Sequence, residues 1–149
     1  MKDQDAVKIL NELIEVSEDG RKGFAEAAND AADANLKTLF EECSRQCDEA
    51  VSELQRGVGL LGGKPETSGS IAGGAHRGWL KVKAAMTDNN IAVLEEVERG
   101  QDHAKAVYTK AMNSELPASV SHIVQKQCEG ALRNHDRIRD LRNAYRSAA

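Results

Sequence analysis

Apolar residues return every three or four positions over four long stretches of this chain, the period of a helix with one buried face. The first stretch, about residues 5–30, places Leu10, Leu13, Ser17, Gly20, Phe24, Ala27, Ala28 and Ala31 on one side. Asn29-Asp30 and Asp33 interrupt it, and Asp33 stands where it can cap the next helix. The second, about 34–61, aligns Leu36, Leu39, Phe40, Cys43, Cys47, Ala50, Leu54, Val58 and Leu61 before Gly62-Gly63-Lys64-Pro65 stops it. The third, about 91–112, is capped by Asp88-Asn89-Asn90 and aligns Val93, Leu94, Val97, Gly100, Gln101, Ala104, Val107, Tyr108 and Ala111. Pro117 opens the fourth, about 117–145, with Val120, Val124, Gln127, Cys128, Ala131, His135, Ile138 and Tyr145 on its apolar side.

Residues 62–88 separate the second stretch from the third. Glycine and serine dominate them as far as Gly74, and a short amphipathic helix is expected over about 75–87, with Trp79, Leu80, Val82 and Met86 as its apolar contacts. The other two connections are tight, so each joins an antiparallel pair. The long linker suffices to run back along a bundle about 40 Å long, which leaves the second and third helices parallel. The expected fold is all-α: one domain over residues 1–149, two antiparallel hairpins and a long crossover, the topology of a ferritin-like four-helix bundle.

Composition agrees with this pattern. The 149 residues can enclose one core without disulfides or metals, and 40% hydrophobic content with only five aromatic residues favours helices over strands. A formal net charge of −4 argues against a dedicated nucleic-acid binder. The stretch from Arg133 to Arg146 holds five arginines, but Asp136 and Asp140 are interspersed, and it reads as a solvated helix face. No apolar region follows the polar Met1-Lys2-Asp3-Gln4-Asp5, and no run reaches the ~18 apolar residues of a membrane span. Cys43, Cys47 and Cys128 form an odd set at unremarkable spacing, suited to reduced thiols. A cytoplasmic location is expected.

Certain local blocks carry a resemblance. They are Leu10-Asn11-Glu12-Leu13-Ile14 with Asp19-Gly20, Gly69-Ser70 ahead of His76-Arg77-Gly78-Trp79, Glu98-Arg99-Gly100, and His135-Asp136-Arg137-Ile138-Arg139. Over nearly its whole length the chain resembles the small bacterial four-helix-bundle proteins of unknown function classed with the ferritin-like superfamily. The resemblance implies a fold and brings no established activity.

A ferritin-like bundle raises the question of a di-iron centre, which needs a Glu from each of two helices and Glu-x-x-His from each of the others. No Glu-x-x-His occurs here. On the helical wheel Glu15, Glu18, Asp19 and Glu26 fall more than about 100° from the centre of the first stripe, so they are expected to face solvent. Glu129 also points away, while Glu42, Glu53 and Glu98 fall at stripe edges. No Fe, Zn or Cu cofactor is therefore expected. The metal candidates that remain are His135, Cys43, Cys47 and Cys128, with Glu98 at the edge, because thiolates and imidazole suit Zn or Cu(I).

Counting outward from the turns brings Ser17, Cys43, Gln46, Cys47, Gln101, Gln127, Cys128 and His135 near one level. A buried hydrogen-bonded polar layer is the favoured reading of that set, since free cysteine packs like a small hydrophobe and buried amides need partners. His76, Arg77 and Trp79 are the other candidates, as an anion or partner surface or as the anchor of the crossover helix, with Arg77 reaching an acid such as Glu98. Gly20 and Gly100, at stripe positions, are read as points of close helix packing, while His103 and His122 read as surface residues. No nucleophile–base pair, P-loop or dinucleotide fingerprint is present. The expectation is a non-enzymatic structural or interaction module, a homodimer, with neither nucleic acid nor membrane as partner. The alternative is a metal-binding or redox bundle.

Overall fold

The structure is a computed structural model that describes residues 1–67 and 90–148. Four helices account for almost all of them: α1 (Asp3–Asp30), α2 (Ala34–Leu60), α3 (Asn90–Met112) and α4 (Ala118–Ala148). The short helix expected over 75–87 lies outside the described residues, as do His76, Arg77, Trp79 and the Asp88-Asn89 cap. Helix α1 begins two residues ahead of its apolar stripe, because Asp3 and Asp5 in its first turn oppose the positive end of the helix dipole. Helix α4 runs past its stripe to Ala148, with Arg146 in its last turn complementing the negative end.

The ends of α2 follow from local chemistry. The Asp33 carboxylate accepts the Asn35 backbone N–H at 2.8 Å and so caps the start. At the other end Gly62 N–H donates to Gly59 O and Gly63 N–H to Val58 O, both at 3.0 Å, which is the Schellman arrangement. Gly62 takes φ +73°, a conformation side chains resist, while a Cβ on Gly63 would lie 2.6 Å from Val7 Cγ2. The chain beyond is tied to α1 by Asn11, which donates to Lys64 O at 3.2 Å and accepts from Glu66 N–H at 2.9 Å.

The helices form a ring in the order α1, α2, α4, α3. Two apolar clusters fill its ends. One joins Phe24, Ala27 and Ala28 near the end of α1 to Leu36, Leu39 and Phe40, then Val93, Leu94 and Val97, and Ile138. The other joins Leu10, Leu13 and Ile14 to Val51, Leu54 and Val58, then Tyr108 and Ala111, and Val120 and Val124. The start of α1 therefore meets the end of α2, the end of α3 and the start of α4. Every neighbouring pair is antiparallel, and α2 and α3 are parallel across the diagonal, so α2 ends and α3 begins at opposite ends of the bundle.

The wheel drawn from the sequence needs correction in two places. Five consecutive residues of α1, Val16 to Gly20, are buried, including Glu18 and Asp19 at 8% and 1% exposure. At about 100° per residue these five sample the whole circumference, so α1 has no wet face at this level. The arginines of α4 are not a plain solvated face either. Arg142 bonds Glu98 and Arg146 bonds Glu95 on α3, and Arg137 reaches Glu42 on α2, so three of them fasten α4 to its neighbours.

Candidate functional site

Between the two apolar clusters the bundle narrows to small and polar side chains, and there it holds a cavity of about 290 Å³. Small residues make the room: Gly20 on α1, Ala50 on α2, Gly100 and Ala104 on α3, and Gly130 and Ala131 on α4. Val16 and Phe24 give the wall its apolar part, and Ser17, Asp19, Gln101, Tyr108 and Gln127 its polar part. Gln46, Glu49 and Glu53 from α2 face Lys126, Arg133 and Asn134 from α4 around the rim. Glu49, Lys126 and Arg133 are exposed, so the cavity opens at the seam between α2 and α4.

One hydrogen-bond chain crosses this level and touches all four helices. Tyr108 O–H on α3 donates to Gln127 Oε1 on α4 at 2.9 Å, and Gln127 Nε2 donates to Ala50 O on α2 at 3.3 Å. The single phenolic proton is then committed, so the 3.2 Å contact of Ser17 Oγ on α1 with Tyr108 Oη must be donated by the serine. Burial drives the Tyr108 pKa well above its ordinary value, and the phenol stays a donor. Asn134 Nδ2 adds a second tie from α4 to α2, donating to Gln46 Oε1 at 2.7 Å. Gln101 is 7% exposed, and its Oε1 has no hydrogen-bond partner among the described residues.

The thiols named from the sequence divide between cluster and cavity. Cys43 is buried in one apolar cluster and Cys128 in the other. Cys47 lines the cavity, with its Sγ only 3.1 Å from where a Cβ on Gly20 would stand. Gly20 thus serves close packing, as its stripe position suggests. Desolvation pushes the Cys43 and Cys47 thiols up to about 12 and raises Cys128 as well. All three are thiols at neutral pH, the form that neither attacks nor ligates readily.

His135 sits apart from this chain, on the side of α4 that meets α3. Its Nε2 lies 2.6 Å from Asp102 Oδ1 and 3.9 Å from Glu98 Oε2, and its Nδ1 lies 3.5 Å from Asp136 Oδ1. Glu98 is buried and bonded to Arg142. Among the described residues no group of three or more His, Cys, Asp or Glu side chains is gathered as a metal site requires. His103 and His122 are both exposed, and His103 also lines the cavity.

The family model of a domain of unknown function, DUF2383, matches residues 5–114. The chain belongs to that family. The match covers α1, α2 and α3 and ends before α4, which supplies Gln127 and His135. No curated protein matches the chain.

Several members of the polar level are legible as inward positions in the stripes, namely Ser17, Cys47, Gln101 and Gln127. Tyr108 reads there as an apolar contact, because periodicity places a ring without showing where its hydroxyl goes. Asp102, the partner of His135, leaves no signal either. It is exposed and lies off the α3 stripe, and only the approach of α4 brings it to the imidazole.

Proposed function

We propose that this chain is a non-catalytic four-helix module of ferritin-like topology that works by association, as a cytoplasmic homodimer. The observation that carries this reading is the closed hydrogen-bond chain from Ser17 through Tyr108 and Gln127 to Ala50 O. It spends the hydroxyl protons of the interior on joining four helices, a use that fixes register rather than activates a nucleophile. Three protonated thiols fit the same reading. The parallel α2 and α3, with the 61–89 connection between opposite ends, supports the ferritin-like topology. No described helix is long and apolar enough to cross a membrane.

Association is favoured by apolar surface at one end, where Leu60 is 69% exposed and Met112 39% exposed. A stress-related role rests on superfamily analogy alone. A metal or redox centre is the second reading, favoured by the two carboxylates within 3.9 Å of His135 Nε2. Against it, the Arg142 guanidinium already neutralises Glu98. The deciding experiment is metal analysis, with sedimentation equilibrium, of protein purified without chelator. A metal-free dimer is expected. Stoichiometric Fe, Zn or Cu that disappears in His135→Ala would overturn the non-catalytic reading, and a monomer at all concentrations would overturn the dimer.

A further inference from the structure

Protein interiors pack as densely as organic crystals, so a cavity of about 290 Å³ in the middle of a bundle is a departure that packing alone does not require. Glycine inside a helix is destabilising relative to alanine, yet Gly130 lines this space. A Cβ there would meet only Arg133 Nη2, at 3.6 Å, an ordinary contact. The open volume is thus kept by a residue whose replacement the surrounding structure would accept. It is about twice the ~150 Å³ of an engineered cavity that takes one benzene ring, which sets the scale at a two-ring molecule.

A buried atom of the wall that lacks a hydrogen-bond partner among the described residues is an acceptor. Gln101 Oε1 is buried and accepts from nothing. Ser17 Oγ gives its proton to Tyr108 and keeps lone pairs. Gln127 Oε1 accepts once. An anion brought here would meet these acceptors. A donor would meet partners, and a buried acceptor left unmade is costly. Lys126 and Arg133 stand opposite Glu49 and Glu53 around the rim, which leaves the entrance without a strong bias of sign.

We propose that the mid-bundle cavity is a binding site for a small, largely apolar amine whose N–H group donates at its Gln101 end. This stands independently of the association reading, since a dimer and a monomer contain the same cavity.

Tryptamine, an ammonium on a two-ring frame, is a suitable probe, with indole-3-propionate as its carboxylate counterpart. Titration calorimetry on the full chain should show one saturable site for tryptamine, millimolar or tighter, with the carboxylate at least about tenfold weaker. Gln101→Leu keeps the volume and removes the unpaired acceptor. It is expected to raise Tm while weakening tryptamine at least about tenfold, opposite movements that a purely structural role of Gln101 would not produce. Gly130→Leu should raise Tm and abolish binding by filling the space. Where either variant does not fold, NMR signals of the Gln101 amide and the Tyr108 ring in the unmutated chain decide, and tryptamine is expected to shift both. The proposal is overturned by a cavity that holds water alone and takes up no tryptamine, by equal binding of amine and carboxylate, by unchanged affinity in folded Gln101→Leu, or by shifts confined elsewhere.

Discussion

Tyr108 is the residue on which the middle of this bundle turns. Its ring belongs to the apolar cluster around Leu54 and Val124, and its hydroxyl links Ser17 to Gln127. Tyr108→Phe keeps the ring and removes the link, leaving the serine proton and the glutamine oxygen without their buried partner. An unmade buried hydrogen bond costs about 1–3 kcal/mol, so urea unfolding of Tyr108→Phe should show a loss in that range. The double variant Ser17→Ala/Tyr108→Phe should lose less than the sum of the two single changes, because both cut one chain. Additive losses would show that the chain does not act as a unit. The sequence makes half of this legible, since the inward setting of Tyr108, Ser17 and Gln127 is a matter of period. Which hydroxyl reaches which amide depends on helix rotation and height, which period does not specify.

Asp33 ties the start of α2 to a residue 112 positions further along the chain, Tyr145 of α4. It caps α2, and its other oxygen accepts the Tyr145 hydroxyl of α4 at 2.6 Å. The Tyr145 bond and then the Asn35 N–H hold the Asp33 carboxyl below the ordinary aspartate value. A lowered folded-state pKa means that the stabilisation is complete above the ordinary value and is lost as pH falls through the lowered one. Asp33→Asn should therefore unfold more easily at neutral pH and show a shallower loss of stability on acidification, followed by helical circular dichroism during thermal melts. An unchanged acid slope would remove Asp33 as the group responsible. The cap is readable from sequence, because Asp before a helical stripe is a local signal. The Tyr145 partner is not, because it depends on α4 running antiparallel to α2 and ending at this height.

Over the whole molecule, the four seams are held differently. Ser44 Oγ donates to Arg21 O at 2.9 Å between α1 and α2, while α3 and α4 are fastened by the ion pairs of Arg142 with Glu98 and Arg146 with Glu95 and by the hydrogen bond between His135 and Asp102. The Arg142–Glu98 pair is the most enclosed of the described arginine links from α4, with side chains 19% and 12% exposed. Removing one partner of such a pair strands the other, at a cost of about 3 kcal/mol. Arg142→Met should lower stability by that order, whereas Arg146→Met, at an exposed pair, should cost well under ~1 kcal/mol. Equal effects of the two changes, read from chemical denaturation, would refute the distinction.

Four helices, the cap and stop of α2 and most of the inward faces were determined by the sequence alone, because caps, stops and apolar period act over a few residues. The burial of Glu18 and Asp19, the pairing of the α4 arginines and the central cavity were decided only by tertiary structure. Each depends on what a second or third helix places opposite. A one-dimensional pattern records how a residue lies on its own helix and carries nothing about the helix it meets.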